Sequence, residues 1–185
     1  LHLVSKMRPV SEGGSRIGII LNGSPLFTGV AESGETKIRR YLLENDLVEA
    51  IIALPTDMFF NTGISTYIWI LSNHKPAERK GKVQLINAAD FYQKMRKSLG
   101  SKRKELNQDH IEQITKLYGD FKTTEHSLIF DNEDFGYSTI TVERPLKLKF
   151  EITPEKRQIP MIAMMREESL KAFELWKEKG DKTLY

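Results

Sequence analysis

The sequence predicts an α/β fold, and three stretches carry that expectation. "RIGIILN" (16–22), "VEAIIALP" (48–55) and "TYIWILS" (66–72) are short apolar runs bounded by turn residues, as buried strands are. An amphipathic helical pattern lies between the first two, and a loop of about ten residues with no helix separates the second from the third.

Each element follows from its residues. "LHLVSKMRP" reads as the end of a helix stopped by Pro9, so the chain is expected to be a piece of a longer protein. "RIGIILN" is continuous enough to predict a strand buried on both faces. In "ETKIRRYLLEN", Ile38, Tyr41 and Leu42 fall at three-and-four spacing, which turns Lys37, Arg39 and Arg40 outward. Ser33 suits the N-cap and Glu35 the positive end of the helix dipole. A strand, a helix and a strand in this order predict a parallel pair with a right-handed crossover. The third strand, reached without a helix, is expected to run antiparallel to its neighbour. "KVQLINA" is a candidate fourth strand.

After Ala88 the pattern turns helical. "ADFYQKMRKSL" places Phe91, Met95 and Leu99 on one stripe. "NQDHIEQITKLYG" has Asn107 as cap, Ile111, Ile114 and Tyr118 inside, and Gly119 as stop. "YSTITVERPL" alternates like an exposed strand. Beyond about Phe150, Leu170, Phe173 and Trp176 form a further amphipathic stripe. The expected divisions are 1–88, the half-sheet; 89–150, a basic helical and strand extension; and 151–185, a helical appendage.

Composition narrows the chemistry. With 39% hydrophobic and 29% charged residues, and no apolar run near the roughly 20 residues that span a bilayer, a cytoplasmic globular protein with no membrane partner is expected. The absence of cysteine excludes disulfides and thiolate metal sites, and four scattered histidines predict no zinc. A net charge of +3 decides little, but six of the eleven residues from Lys94 to Lys104 are basic. Lys94, Arg96, Lys97, Lys102, Arg103 and Lys104 are candidates for phosphate contact; the alternative is a solvated face.

The loop "TDMFFNTGIST" follows the carboxyl end of the second strand, where open α/β sheets place ligands. Phe59 and Phe60 either plug the core under the sheet edge or form a platform for a nucleobase. Asn61 and Thr62 supply donors and acceptors there, and Asn22 and Ser24, after the first strand, face the same cleft. No dinucleotide fingerprint, phosphate-cradling loop, His-Glu-x-x-His motif or nucleophile elbow is present, and "DNED" lacks calcium-loop spacing. No catalytic residue is assigned.

Four strings, "RIGIILNGSPLFTG", "IRRYLLENDLVEAIIALPTDMFFNTGISTYIWILS", "RKGKVQLINAADFYQKMRKSLGSKRKEL" and "IFDNEDFGYSTITVERPL", resemble the carboxyl-terminal half of the modification (M) subunit of type I restriction-modification systems, an adenine-N6 DNA methyltransferase. The resemblance covers about Leu1 to Leu148. It implies a partial Rossmann-like, S-adenosylmethionine-dependent methyltransferase sheet, of which this chain holds the last three strands, one antiparallel, followed by a mostly helical carboxyl-terminal region. It also implies partners: double-stranded DNA, a specificity subunit, a restriction subunit and the amino-terminal part of the same subunit.

The family's glycine-containing cofactor loop and its Asn/Asp-Pro-Pro-Tyr/Phe motif do not occur here, and all seven prolines are isolated. By this reading the piece binds no cofactor and is inactive alone. Phe60, or failing it Phe59, covers one face of the everted adenine, and Leu170, Phe173 and Trp176 dock on a partner subunit. Two rivals stand beside it: a non-catalytic nucleic-acid-binding or assembly module, and a nucleotide-dependent oxidoreductase half, which lacks every phosphate-binding fingerprint.

Overall fold

The structure, a computed structural model, describes residues 1–27 and 33–132. Its elements are β1 (Arg16–Asn22), α1 (Ser24–Phe27), α2 (Gly34–Glu44), β2 (Val48–Ala53), β3 (Thr66–Ser72), β4 (Lys82–Asn87), β5 (Gln93–Leu99), β6 (Lys102–Glu105), α3 (Gln108–Asp120) and β7 (Ser127–Asp131). Five strands form one mixed sheet in the order β1-β3-β2-β4-β7, while β5 and β6 form a separate antiparallel pair. No helix among the described residues is long and apolar enough to cross a membrane.

The centre of the sheet is β2, buried along its whole length. A strand covered on both faces must be apolar at nearly every position, which is why "VEAIIA" reads as a run and not as an alternation. On one face Val48, Ile51, Tyr67, Trp69, Leu71, Val83 and Leu85 pack with Leu42 and Leu43 of α2. On the other, Ile52, Leu54 and Ile86 pack with Ile114 of α3, joined by Leu117 and Tyr118. The result is three layers, helix, sheet, helix.

β3 lies between β1 and β2 and runs antiparallel to both, as expected for a strand reached without a crossover. β1 and β2 are therefore parallel, but not adjacent. β4 pairs parallel with β2, and β7, which the sequence does not announce, closes the far edge antiparallel to β4.

Several elements differ from expectation. β1 is an edge strand of alternating burial, not a strand covered on both faces: Ile17, Ile19 and Leu21 pack on the α2 side, whereas Ile20 is 50% exposed. The opening residues form a short 3-10 turn, Val4–Lys6, and not the end of an α-helix. α2 is capped by the Ser33 hydroxyl, which accepts from the Thr36 amide at 3.3 Å, and the Glu35 carboxyl is held below its usual range by backbone and Ser33 hydrogen bonds. Its face, however, is rotated. Ile38 and Tyr41 are exposed, and Arg39 is buried because its guanidinium donates to the Pro25 carbonyl and the Thr36 hydroxyl, each at 3.1 Å.

The stripe Phe91, Met95 and Leu99 is not helical. Residues 93–105 are the β5–β6 hairpin, and Leu99 is 52% exposed at its tip. α3 has the expected Asn107 cap, in a reciprocal box with His110, but Ile111 faces solvent. It runs past Gly119 to Asp120 and stops at Phe121, a left-handed residue (φ 44°).

A buried polar hub ties α3 to the sheet. Glu49, 1% exposed, lies 3.2 Å from Arg16 and accepts the Tyr118 hydroxyl at 2.5 Å. Arg79 donates to Gln84 Oε1 at 3.0 Å and to the Tyr118 carbonyl, and its guanidinium sits between the Tyr118 and Phe121 rings. Buried charges persist only when paired in this way.

Burial, then the bond to Glu49, pushes the Tyr118 phenol up to about 12. A phenol raised in the folded state stabilises fully below its ordinary value of 10.0 and loses that contribution as pH climbs toward about 12. Lys75, paired with Asp46, runs the other way: burial lowers its pKa from 10.5, so its contribution grows as pH rises toward that value. Tyr118→Phe should cost about 1 kcal/mol at pH 7. Compared with wild type in urea unfolding, it should also lose the fall in stability that phenol ionisation causes between pH 10 and about 12.

Candidate functional site

Parallel strands bring their carboxyl ends to one rim. Asn22 ends β1 opposite Thr66, Tyr67 stands opposite Ala53 at the end of β2, and Ala53 pairs with Asn87 at the end of β4. The three segments that leave this rim are α1, the loop 54–65 and the segment that leads into the basic hairpin.

The loop is folded on itself. Phe59 and Thr62 form an antiparallel bridge, so Phe60 and Asn61 occupy the tip of a tight turn. Phe59 is half-buried. Phe60 is 69% exposed, the most exposed large hydrophobic residue among the described ones. Asn61 is exposed and Thr62 half-buried, its hydroxyl accepting from the Ile64 amide at 3.3 Å.

Asn22 and Ser24 lie on the same rim. Their open cavity, about 380 Å³, is completed by Gly23, Ile64, Ser65 and Tyr67, and neither phenylalanine lines it. The Asn22 side chain accepts from the Ser24 amide at 3.1 Å, which starts α1. Of the six residues singled out for a base pocket, the fold thus groups Asn22 and Ser24 in one hollow and the four loop residues at a separate tip of the same rim.

What the sequence does not reveal is that the hairpin grips the loop. The Asp57 carbonyl accepts two hairpin amides, Arg103 at 2.9 Å and Lys104 at 3.2 Å, while the Ser101 amide donates to the Phe60 carbonyl at 2.8 Å. The Lys104 ammonium donates to the Thr56 hydroxyl at 3.1 Å and lies 4.1 Å from the centre of the Tyr92 ring.

Two backbone features permit this approach. Asp57 is left-handed (φ 59°), a conformation Asp tolerates better than most residues, and so is Gly100 (φ 59°) at the hairpin turn. A Cβ at Gly100 would lie 2.5 Å from the Phe60 carbonyl oxygen and 3.1 Å from its ring, so only glycine fits. The Gly-Ser pair is the one local signal in the sequence for a hairpin turn here.

Lys104 is therefore committed to the loop, and Lys102 is half-buried. Lys94, Arg96, Lys97 and Arg103 are exposed, with no ion pair to their side chains among the described residues. Leu170, Phe173 and Trp176 lie outside the described residues, as do Glu133 and Asp134 of "DNED". No metal-holding cluster of His, Asp or Glu occurs among those described.

The fold and this rim define a mixed-sheet α/β protein that presents an aromatic ring and a row of cations beside its strand ends. The chain belongs to the N-6 DNA Methylase family, whose profile matches residues 1–142. It is 38% identical over 107 residues to the type I restriction enzyme MjaVIII methylase subunit of Methanocaldococcus jannaschii, a match that covers 58% of this chain and 18% of that protein. The MjaVII methylase subunit of the same organism is 36% identical over 120 residues, covering 64% and 20%.

Among solved structures, the type I restriction-modification methyltransferase subunit from Streptococcus thermophilus superimposes with a TM-score of 0.56 at 26% identity, over 65% of this chain and 24% of that one. The chain spans about a fifth of the length of these curated relatives.

The grip of the hairpin predicts a local effect. Gly100→Ala, which adds a left-handed strain of about 1–2 kcal/mol to the clash, should speed hydrogen exchange at the Ser101 amide by about tenfold or more while the amides of β2 keep their protection.

Proposed function

We propose that this chain is part of the M subunit of a type I restriction-modification system, an enzyme that methylates adenine N6 in double-stranded DNA with S-adenosylmethionine. On this reading the piece supplies the target-base side of the site. The observation that carries it is Phe60, an aromatic ring 69% exposed yet anchored through its main chain at the rim, next to a row of exposed cations.

Methyl transfer to a base inside a duplex requires the base to leave the stack, at a cost of a few kcal/mol. Stacking on a ring returns on the order of 1–3 kcal/mol, so one well-placed ring offsets a large part of that cost. Phe60 suits this role better than Phe59, which is half-buried. Asn61 stands beside it with an exposed amide for an edge of the base, and Thr62, Asn22 and Ser24 add polar groups further along the rim.

The rim cavity lined by Asn22, Gly23, Ser24, Ile64, Ser65 and Tyr67 offers no carboxylate for a ribose diol or an ammonium group. In the intact enzyme S-adenosylmethionine supplies the methyl group. The reading extends to a cytoplasmic enzyme whose specificity and restriction subunits are partners, with Leu170, Phe173 and Trp176 as the docking stripe and the piece inactive alone.

In the intact subunit, Phe60→Ala should lower the fluorescence rise of 2-aminopurine at the target position by about tenfold, corresponding to loss of one stack. Phe59→Ala should change it less, and Phe60→Trp should preserve it. Normal fluorescence and normal methylation in Phe60→Ala would remove Phe60 from the base pocket, whereas no fluorescence rise and no methylation in the wild-type subunit would favour a binding module that never everts a base.

Neutralising Arg96 and Lys97 to Gln should reduce the salt slope of DNA affinity by about 0.9 for each phosphate left without its cation, without altering sequence choice. Lys104→Gln should leave that slope unchanged, because its ammonium faces Thr56 and Tyr92. An unchanged slope in the Arg96 and Lys97 variants would make the exposed row a solvated face.

A further inference from the structure

We infer that the β5–β6 hairpin is a positioning strut for Phe60, and that Gly100, Ser101 and Lys104 act on the target base only through that ring. The inference rests on the reading of Phe60 as the stacking ring and goes beyond it, since it assigns a role to residues that touch neither base nor backbone.

An exposed ring on a turn is ordinarily free to move, because its loop has few buried contacts to hold it. Here the opposite is built in. The Ser101 amide fixes the Phe60 carbonyl at 2.8 Å, and the Asp57 carbonyl, three residues before the ring, accepts the amides of Arg103 and Lys104. The Lys104 ammonium adds a third tie at Thr56, 3.1 Å away. Thr56, Asp57 and Phe60 are thus held by one short strand and its turn.

Gly100 brings the turn against the ring itself. The site of its absent Cβ lies 3.1 and 3.2 Å from two carbons of the Phe60 ring, so the hairpin backs the ring on one side while most of its surface stays open. A stacking surface works when it is preorganised, since a misplacement of about 1 Å can cost up to a hundredfold in rate.

The same hairpin carries Lys94, Arg96, Lys97 and Arg103 on its exposed positions. A phosphate bound there would hold the strut, and the strut would hold the ring. Affinity for the backbone and eversion of the base are linked through main-chain hydrogen bonds, with no side chain shared between the two tasks.

The test is a double-mutant cycle in the intact methylase, using a duplex with 2-aminopurine at the target position and measuring DNA affinity, fluorescence rise and kcat for each variant. Gly100→Ala should keep DNA affinity within about threefold while the fluorescence rise and kcat fall about tenfold. Phe60→Ala should show the same fall, and the double variant should fall no further, because both changes remove one function.

Lys104→Met, which keeps the stem over Tyr92 and loses the tie to Thr56, should reproduce the defect more weakly, with Lys104→Arg restoring it. It also serves if Gly100→Ala proves unstable in a thermal melt. A fall in Phe60→Ala with normal fluorescence in both Gly100→Ala and Lys104→Met overturns the strut alone, as does an additive double variant. Normal fluorescence in Phe60→Ala overturns the underlying reading, and the strut falls with it.

Discussion

One carbonyl oxygen organises the rim. Asp57, in a left-handed conformation just past the most deeply buried strand, turns its carbonyl toward the hairpin and takes two of its amide protons. That arrangement joins the aromatic loop, which leaves β2, to the basic hairpin, which leaves β4. Because β2 and β4 are parallel neighbours, both segments start at the same edge of the sheet, and the join needs no long excursion of the chain. Without it, the ring and the cations would be two separate surface features.

The sheet beneath gives the rim its rigidity. β2 is buried on both faces, and the hub of Glu49, Arg79 and Tyr118 anchors α3 through hydrogen bonds to charged groups and not through packing alone. Such a hub adds little net stability compared with an apolar core, yet it disfavours any other placement of α3, since each alternative would take the Tyr118 hydroxyl from Glu49 and the Tyr118 carbonyl from Arg79. Stability is concentrated in the layers, and exposure in the loops they carry.

Some of this is legible in the residues. β2 and β3 can be read because strands covered on both sides leave an unbroken apolar run, and the capping residues Ser33 and Asn107 because their chemistry is local. β1 misleads because the same unbroken run also fits an edge strand with one open face. Periodicity turns Arg39 outward because it cannot foresee a guanidinium satisfied by the Pro25 carbonyl. The hairpin is hidden by the four-residue spacing of Met95 and Leu99, which mimics a helix, on strands too exposed and too irregular in register to alternate. The phenylalanines draw attention to the loop, but nothing in the residues points to its partner, because the contacts between them are almost all main chain.

Whether an everted base meets the Phe60 ring is tested most directly by photochemical cross-linking. A duplex with 5-iodouracil in place of the target adenine, bound to the intact methylase and irradiated, reacts with the aromatic side chain it stacks upon. Tandem mass spectrometry should place the adduct on Phe60. An adduct on the hairpin, in the core, or on another aromatic residue in place of Phe60 would contradict the account.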